Sequence, residues 1–363
     1  MEKSSNNCHS GMRCSFLIKE RDSNIELLRI VSMFLVMIVH ADYLALGTPT
    51  QEDISASYCN SFARAFVEAL SCICVNVFVL ISGWFKIKFR FERLMEFIFQ
   101  VIFIGVALYF LMRVWGYTEV MSIKDWTRLF LMKSRAYWFV KAYLILYVFA
   151  PLLNSFIDNC NRSQLKVFLI GFFFLQSIYG FYASNVWFSE GYSPLSFMGL
   201  YILSSYMRLY PNCWVRLCKY IDMTIYLSIS AFTALCAILL TPLFEKGSTL
   251  MFLYSSPFVI MASVYFFLFF TKLSFKSKFV NWISISAFAA FLVHCSDYVF
   301  EPFYLSIIRG WYDAKPLVAF IFYTTGLIVL FFSFSIVLDK VRIALWKRLL
   351  AIKYLRKDFP NVL

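Results

Sequence analysis

Long apolar segments alternate with short polar segments along almost the whole chain. Most of the apolar segments are about 18 to 25 residues long, the length of helix that crosses a hydrocarbon core about 30 Å thick. The pattern predicts an all-α, polytopic membrane protein with about ten transmembrane helices. The predicted spans are residues 25–44, 64–84, 94–114, 137–154, 164–182, 195–210, 222–243, 251–271, 279–299 and 316–338.

The composition agrees with a membrane protein. The 363 residues are 61% hydrophobic and only 15% charged, a balance at which a soluble chain of this length would precipitate. The net charge of +13 is what basic loops facing anionic lipid headgroups produce. We therefore expect the lipid bilayer as a partner and no nucleic-acid ligand.

Basic residues indicate the topology, because lysines and arginines accumulate in cytoplasmic loops. With the N-terminus inside, 23 of the 34 lysines and arginines fall in inner segments. This predicts both termini in the cytoplasm. It divides the chain into a polar cytoplasmic tail (1–22), a transmembrane domain (23–340) and a basic cytoplasmic tail (341–363). No small-residue cleavage site follows the first span, so we expect an uncleaved first helix.

Cysteines and histidines in the N-terminal tail raise the question of a metal. Cys8, His9 and Cys14 have a spacing that fits no zinc pattern, and the ten cysteines are scattered along the chain. We expect no metal ion and no disulfide framework.

The first predicted span carries ionisable side chains at both ends. Residues 24–43 read NIELLRIVSMFLVMIVHADY, with Glu26 and Arg29 near one end and His40 near the other. Such groups are expensive inside a bilayer, so we expect function here. In a helix, the step from Arg29 to His40 is about 16.5 Å of rise and about three turns, which places both on one face. That face suits an extended ligand that enters near Arg29 and reacts at His40.

A basic cluster follows the second span, where Arg90-Phe-Glu-Arg93 places two guanidinium groups three residues apart. If helical, the two share a face and can hold a phosphate or pyrophosphate by bidentate hydrogen bonds. Basic residues at the inner end of a span are also topological signals, so both interpretations stay open. Just before them, Ser82 and Gly83 allow either close helix packing or approach of a ligand to the backbone.

Several motifs occur in an order that resembles a known family, the acyltransferase-3 family of bacterial membrane acyltransferases. The resemblance covers about 22 to 340. The motifs are Arg29 and His40 in the first span, Phe78–Phe85 (FVLISGWF) followed by Arg90-x-x-Arg93, Tyr137–Tyr143 (YWFVKAY) leading to Pro151–Asn154 (PLLN), and Phe291–His294 (FLVH).

The resemblance implies transfer of an acyl group, most often acetyl, from cytoplasmic acyl-CoA to a hydroxyl of a cell-envelope glycan such as O-antigen, capsule or exopolysaccharide. The enzyme would lie in the bacterial inner membrane. His40 would be the catalytic histidine, Arg29 its paired arginine, and Arg90 with Arg93 the inner arginine motif that binds acyl-CoA together with Ser82. Glu26 stands where members often have Asp, and we group it with the substrate contacts. No hydrolase-like extension follows, so we expect transfer alone or with a separate glycan-assembly partner.

Four polar side chains from four spans have a similar predicted depth, about 6 Å below the outer boundary. They are His40, Glu68, Lys141 and His294. At this depth Glu68 can orient His40 and stabilise its charge, Lys141 can stabilise a thioester oxyanion and His294 can contact the acceptor. Equal depth does not determine the direction of a side chain, so each can instead extend outward or face another neighbour. Trp138 either stacks on a sugar or, like Tyr192, anchors the protein at the membrane interface.

Other functions remain open on the residues alone. His40 can act as a general base or as a nucleophile, or it can be a helix-end histidine bonded to a neighbour. A transporter or flippase of envelope glycan precursors is the main alternative, although the sequence lacks paired Gly- or Pro-broken spans in its two halves. A third possibility is an inactive scaffold in a glycan-assembly complex. It would explain the basic inner face but not the presence of Arg29 and His40 within one span.

Overall fold

The computed structural model describes residues 22–130, 137–183, 187–244 and 247–358, and within them the chain is helical with no strand. The α-helices are α1 (Ser23–Val39), α2 (Gln51–Ala56), α3 (Tyr58–Ser71), α4 (Cys74–Phe85), α5 (Phe91–Val114), α6 (Ile123–Phe130), α7 (Trp138–Asn159), α8 (Arg162–Gln176), α9 (Pro194–Leu209), α10 (Lys219–Leu240), α11 (Gly247–Met251), α12 (Pro257–Thr271), α13 (Lys278–Ser284), α14 (Phe288–His294), α15 (Ser306–Ala314) and α16 (Leu317–Asp358). Cys8, His9 and Cys14 lie outside the described residues.

Seven helical segments of the described chain are long and apolar enough to cross a membrane, so the protein is a multi-pass membrane protein. They are Ser23–Leu44, Tyr58–Phe85, Phe91–Val114, Trp138–Asn159, Arg162–Tyr182, Lys219–Leu240 and Leu317–Leu350. The other three predicted spans correspond to α9, to α12 and to the broken pair α13–α14. A helix of 15 or 16 residues rises only about 23 Å, less than the hydrocarbon core. The count of ten therefore stays a prediction.

Small residues bring α4 and α9 close together. A Cβ atom on Gly83 would lie 2.8 Å from the Cα atom of Tyr201, so only glycine permits this approach. The hydroxyls of Ser204 and Ser205 donate to the carbonyls of Leu80 and Gly83, at 2.6 and 2.7 Å. The contact has the close, small-residue packing of membrane helices.

The end of α1 departs from regular α-helix. Residues His40–Leu44 continue the helix as a π-helical turn, a widened form that is frequent at functional sites. The hydroxyl of Tyr304 donates to the Met37 carbonyl (2.7 Å) and holds this end against the segment that follows α14.

The end of α14 meets the end of α1. His294 is the last residue of α14, and the Tyr137 hydroxyl donates to the Leu292 carbonyl beside it (3.0 Å). A second π-helical turn, Phe300–Leu305, follows before α15. The ends of α1 and α14 thus bring His40 and His294 close together.

The last helix is longer than its predicted span. α16 is continuous through Asp358, so the predicted basic tail begins as an extension of the membrane helix. Within it, Arg342 pairs with Asp339 (2.9 Å), and the amide of Gln100 on α5 donates to the same carboxylate (2.8 Å). The buried bond from Gln100 to Asp339 fixes α16 to α5.

Candidate active site

The centre of the site is a contact between two histidines. Nδ1 of His40 lies 2.9 Å from Nε2 of His294, and Nδ1 of His294 lies 2.5 Å from the carbonyl oxygen of Ala290. A carbonyl can only accept, so Nδ1 of His294 carries its hydrogen, and Nε2 of the neutral ring is an acceptor. His40 must then donate from Nδ1. This arrangement leaves the lone pair of His40 on Nε2, as a general base requires.

A cavity of about 410 Å³, which we call the His40 cavity, adjoins the histidine pair. Its polar lining includes Glu68, whose side chain is buried and whose Oε2 accepts no hydrogen bond from the described residues. A buried carboxylate oxygen without a donor is suited to a hydroxyl brought by a ligand. The lining residues are Val39, His40, Tyr43, Leu44, Glu68, Cys72, Trp138, Tyr192, Thr249, Phe252, Leu253, Tyr254, Cys295, Asp297 and Phe300.

Three aromatic rings form one wall of the cavity. The ring centroids of Trp138 and Tyr192 are 4.4 Å apart, and those of Trp138 and Tyr254 are 5.8 Å apart in a stacked arrangement. Gly191 has φ of 96°, and a Cβ atom there would lie 2.5 Å from the Cβ of Tyr254, so glycine is needed beside the wall. The amide of Asn76 donates to the Tyr254 carbonyl at 3.1 Å. Gly191 and Asn76 thus both help to position Tyr254 in the wall.

On the other side of His40, towards the start of α1, lies a narrow apolar passage. Its volume is about 20 Å³, room for about one water molecule. Met33 and Val36 line it, and they lie on the face of α1 that runs from Arg29 to His40. The lining residues are Met33, Val36, Val39, His40, Cys74, Val75, Phe78, Trp138, Phe139, Tyr254, Phe288 and Phe291. His40 thus stands where the passage and the cavity meet.

A family model described as an acyltransferase domain matches residues 22–340, which is most of the chain. This chain belongs to the acyltransferase-3 family. Neither the curated proteins nor the solved structures contain a match to it. The family makes the protein an acyltransferase, and the resemblance found in the sequence motifs is confirmed.

At the start of α1, the acyltransferase pairs two of its predicted site residues with each other. Nη1 of Arg29 lies 2.7 Å from Oε1 of Glu26. Glu26 is buried, whereas the Arg29 side chain is 37% exposed. The sequence suggests a substrate contact for Glu26, whereas in the structure its carboxylate holds Arg29.

The two inner arginines are arranged differently from the prediction. Arg90 is the residue before the first turn of α5 and is extended (φ −141°, ψ 121°), so it does not share a helical face with Arg93. Residues that cap the start of a helix commonly adopt this conformation. Both side chains are exposed, and Nη2 of Arg90 lies 3.7 Å from a carboxylate oxygen of Glu92. The guanidinium groups are accessible from the side predicted to be cytoplasmic.

Two side chains of α7, one of them in the PLLN motif, hold the linker that presents Arg90. The Tyr147 hydroxyl accepts from the backbone nitrogen of Arg90 (3.1 Å) and donates to its carbonyl oxygen (3.2 Å). The amide of Asn154 donates to the Ile87 carbonyl at 2.8 Å. The separate PLLN and Arg90-x-x-Arg93 motifs are thus parts of one structure.

The structure rearranges the roles that predicted depth suggested. His294, and not Glu68, is the hydrogen-bond partner of His40, and it is too deeply buried to line the His40 cavity. Glu68 faces the cavity, where we had expected His294 to contact the acceptor. Lys141 is exposed on α7 and lines neither the cavity nor the passage, against the oxyanion role expected of it. Depth along a helix carries no information on the direction of a side chain, so it did not predict these contacts, and the roles of the three residues stay predictions.

Ser82 bonds within its own helix, and the three aromatic residues of the wall line the cavity. The Ser82 hydroxyl donates to the Phe78 carbonyl in its own helix (2.9 Å) and lies 3.3 Å from the Tyr143 hydroxyl. Trp138 lines the cavity as the sugar-stacking interpretation requires. The sequence suggests an interface anchor for Tyr192 and gives no signal for Tyr254, because isolated tyrosines at span ends look alike in sequence, yet both line the cavity.

Proposed function

We propose that this acyltransferase transfers an acetyl or other short acyl group from cytoplasmic acyl-CoA to a hydroxyl of an envelope glycan on the outer side of a bacterial inner membrane. The observation that carries the proposal is the position of His40 between the narrow apolar passage and the larger, aromatic-walled cavity. Two different substrates would meet at one basic nitrogen from opposite sides, the donor once the passage has widened.

In this reaction His40 is the general base. Its Nε2 takes the proton of the acceptor hydroxyl while that oxygen attacks the thioester carbonyl. A C–O bond forms, the C–S bond breaks, and the leaving CoA sulfur receives the proton from His40. His294 acts as a positioning residue, since its neutral Nε2 accepts the hydrogen on Nδ1 of His40 and keeps Nε2 unprotonated between turnovers.

The His40 cavity suits a sugar. Its volume of about 410 Å³ falls in the range of small-molecule sites, about 300–1,000 Å³. Trp138 and Tyr254 offer flat apolar faces for the C–H surface of a pyranose ring, and Glu68 offers an unbonded carboxylate oxygen for a sugar hydroxyl.

The acyl donor approaches from the predicted cytoplasmic side. Arg29 lies near the start of α1, on the helix face that lines the passage. Arg90 and Arg93 have exposed guanidinium groups that can bind phosphates. A passage of about 20 Å³ is too small for a pantetheine arm. Donor binding must therefore move lining side chains, of which Met33 is the most adaptable.

The test is incubation of the purified protein, reconstituted in lipid, with acetyl-CoA labelled in the acetyl group and a glycan extract from the source envelope. An acyltransferase of this kind transfers the label to glycan and releases CoA in equal amount. A flippase of glycan precursors would translocate glycan without any transfer of label. Absence of label on every glycan offered, with CoA bound but not consumed, would overturn the proposal.

A further inference from the structure

Three potential metal ligands converge beside the His40 cavity. Nδ1 of His40, Nε2 of His294 and Sγ of Cys295 lie within 4.8 Å of one another. The two nitrogens are 2.9 Å apart, and the sulfur is 3.4 Å from each of them. A hydrogen bond between the histidines accounts for the first distance. It does not account for a thiol at equal distance from both nitrogens.

The spacing is close to that of a tetrahedral zinc site. Zinc binds histidine nitrogen at about 2.0–2.1 Å and cysteine sulfur at about 2.3 Å. Tetrahedral angles then separate two nitrogens by about 3.3 Å, and nitrogen from sulfur by about 3.5 Å. The cluster needs to open by only a few tenths of an ångström. Two histidines and one cysteine are also a donor set that favours Zn²⁺ over hard cations such as Mg²⁺.

The surroundings of the cluster resemble those of a metal centre. His294 donates its other ring N–H to the Ala290 carbonyl, the outer contact that fixes a ligating histidine in the required tautomer. His294 and Cys295 are buried, and they follow one another at the end of α14. His40 and Cys295 both line the His40 cavity, so an ion held between them would lie at the edge of that cavity.

We propose that His40, His294 and Cys295 bind one Zn²⁺ ion, and that this ion inhibits acyl transfer. Binding places zinc on Nδ1 of His40, whose hydrogen moves to Nε2, and the Cys295 thiol loses its proton to solvent. One proton is released for each ion bound. Because Nε2 then carries a hydrogen, it can no longer accept the proton of an acceptor hydroxyl. The inhibitory half rests on the proposed function, whereas the binding half does not.

The binding test uses the purified full-length protein with Cys8→Ser, His9→Ser and Cys14→Ser in the N-terminal tail, so that this segment contributes no ligands. Zn²⁺ is titrated in competition with a chromogenic chelator. We expect one tight ion per chain. Cys295→Ser should weaken it by at least about tenfold, since loss of even an outer-shell partner typically costs about 10- to 100-fold.

Cys72→Ser is the matched control. Cys72 is also buried and also lines the His40 cavity, but its thiol donates to the Ala69 carbonyl of its own helix (3.6 Å). Its replacement should leave the zinc affinity unchanged. Co²⁺ gives a second readout, because a thiolate-to-cobalt charge-transfer band should appear in the Cys72→Ser protein and be absent from the Cys295→Ser protein.

The outcomes separate the two proposals. No saturable zinc binding, or equal affinity with and without the Cys295 thiol, would overturn the site. Zinc binding by a protein that transfers no acyl group even after a chelator has removed the zinc would support the site and overturn the proposed function, with which the inhibitory role would fall. Transfer that stops with zinc, recovers with a chelator and needs at least about tenfold more zinc in Cys295→Ser would support both halves. Transfer that continues in the zinc-loaded protein would overturn inhibition.

Discussion

The two ends of the α1 face that joins Arg29 to His40 are built in different ways. Around His40, the polar groups are enclosed. His294 is buried, with its Nε2 2.9 Å from Nδ1 of His40, and the Glu68 side chain is buried beside the cavity. Around Arg29, the charged groups are open: 37% of the Arg29 side chain and 59% of the Arg90 side chain are exposed. One end is a buried site, and the other leaves its arginines exposed to solvent.

This difference suggests that the two ends have different tasks, one in the reaction and one in donor binding. Preorganised groups in a water-poor site act strongly on a developing charge, since little reorganisation accompanies the reaction. Exposed arginines are screened by water and salt, so they attract a phosphate-rich donor without fixing the reacting atoms. We infer that chemistry depends on the His40 end and donor capture on the Arg29 end. Five variants separate these contributions.

His40→Ala should have the largest effect. Loss of the general base is expected to lower the turnover number by about 10²- to 10⁴-fold, the usual contribution of a positioned base. The measurement is label transfer from acetyl-CoA to glycan at saturating substrates, with membrane insertion and purified yield as controls. Turnover near that of the wild type would contradict the role of His40.

His294→Ala should have the next largest effect. It leaves the buried Nδ1–H of His40 without an acceptor, a cost of about 1–3 kcal/mol, or about 5- to 150-fold in turnover. A positioning role predicts that KM for acyl-CoA stays constant and that His294→Gln, which supplies an acceptor oxygen, recovers part of the rate. A loss in KM alone, with no rescue by Gln, would show that His294 does not act through His40.

Replacing Arg90 and Arg93 together by Ala tests the open end. Charge-assisted hydrogen bonds are worth about 1.5–3 kcal/mol each, and exposure reduces this, so we expect about 2 kcal/mol, or a 30-fold higher KM for acyl-CoA. The turnover number should hold, and the effect should shrink as salt is raised. Lys166→Ala, which removes an exposed cation near the start of α8, is the matched control. An equal change in both proteins would reduce the arginines to topological signals.

Trp138→Ala should weaken the acceptor side only. An aromatic contact contributes about 0.5–1.5 kcal/mol, which corresponds to about a 2- to 12-fold higher KM for the glycan. Trp138→Phe keeps a flat ring and should retain most of the affinity. A change in KM for acyl-CoA without a change for the glycan would move the sugar site away from the aromatic wall.

Lys141→Met should have the smallest effect, within about twofold in every kinetic constant, since Lys141 is exposed and lines neither cavity nor passage. The same transfer assay checks it. A loss comparable to that of His294→Ala would restore the oxyanion role that the depth of Lys141 suggested.

The sequence predicted the helical class, the shared face of Arg29 and His40, and the motifs that place the chain in its family. These features depend on periodicity and local order, which a sequence records directly. It did not predict that His294 contacts His40, because that contact joins residues 254 positions apart and depends on the rotation of two helices. The sequence shows that His294 and Cys295 are adjacent, but two neighbouring ligands do not indicate a metal site. Only the structure shows that His40 lies beside them as a third ligand.

The most direct test of the account uses sealed inside-out vesicles, in which the cytoplasmic face of the membrane is turned towards the medium. Acetyl-labelled acetyl-CoA is added to the medium, and glycan acceptor is supplied either inside the vesicles or outside them. The account predicts label on glycan in the lumen with the wild-type protein and none with His40→Ala. Label confined to glycan in the medium, or equal label in both proteins, would contradict transfer across the membrane through His40.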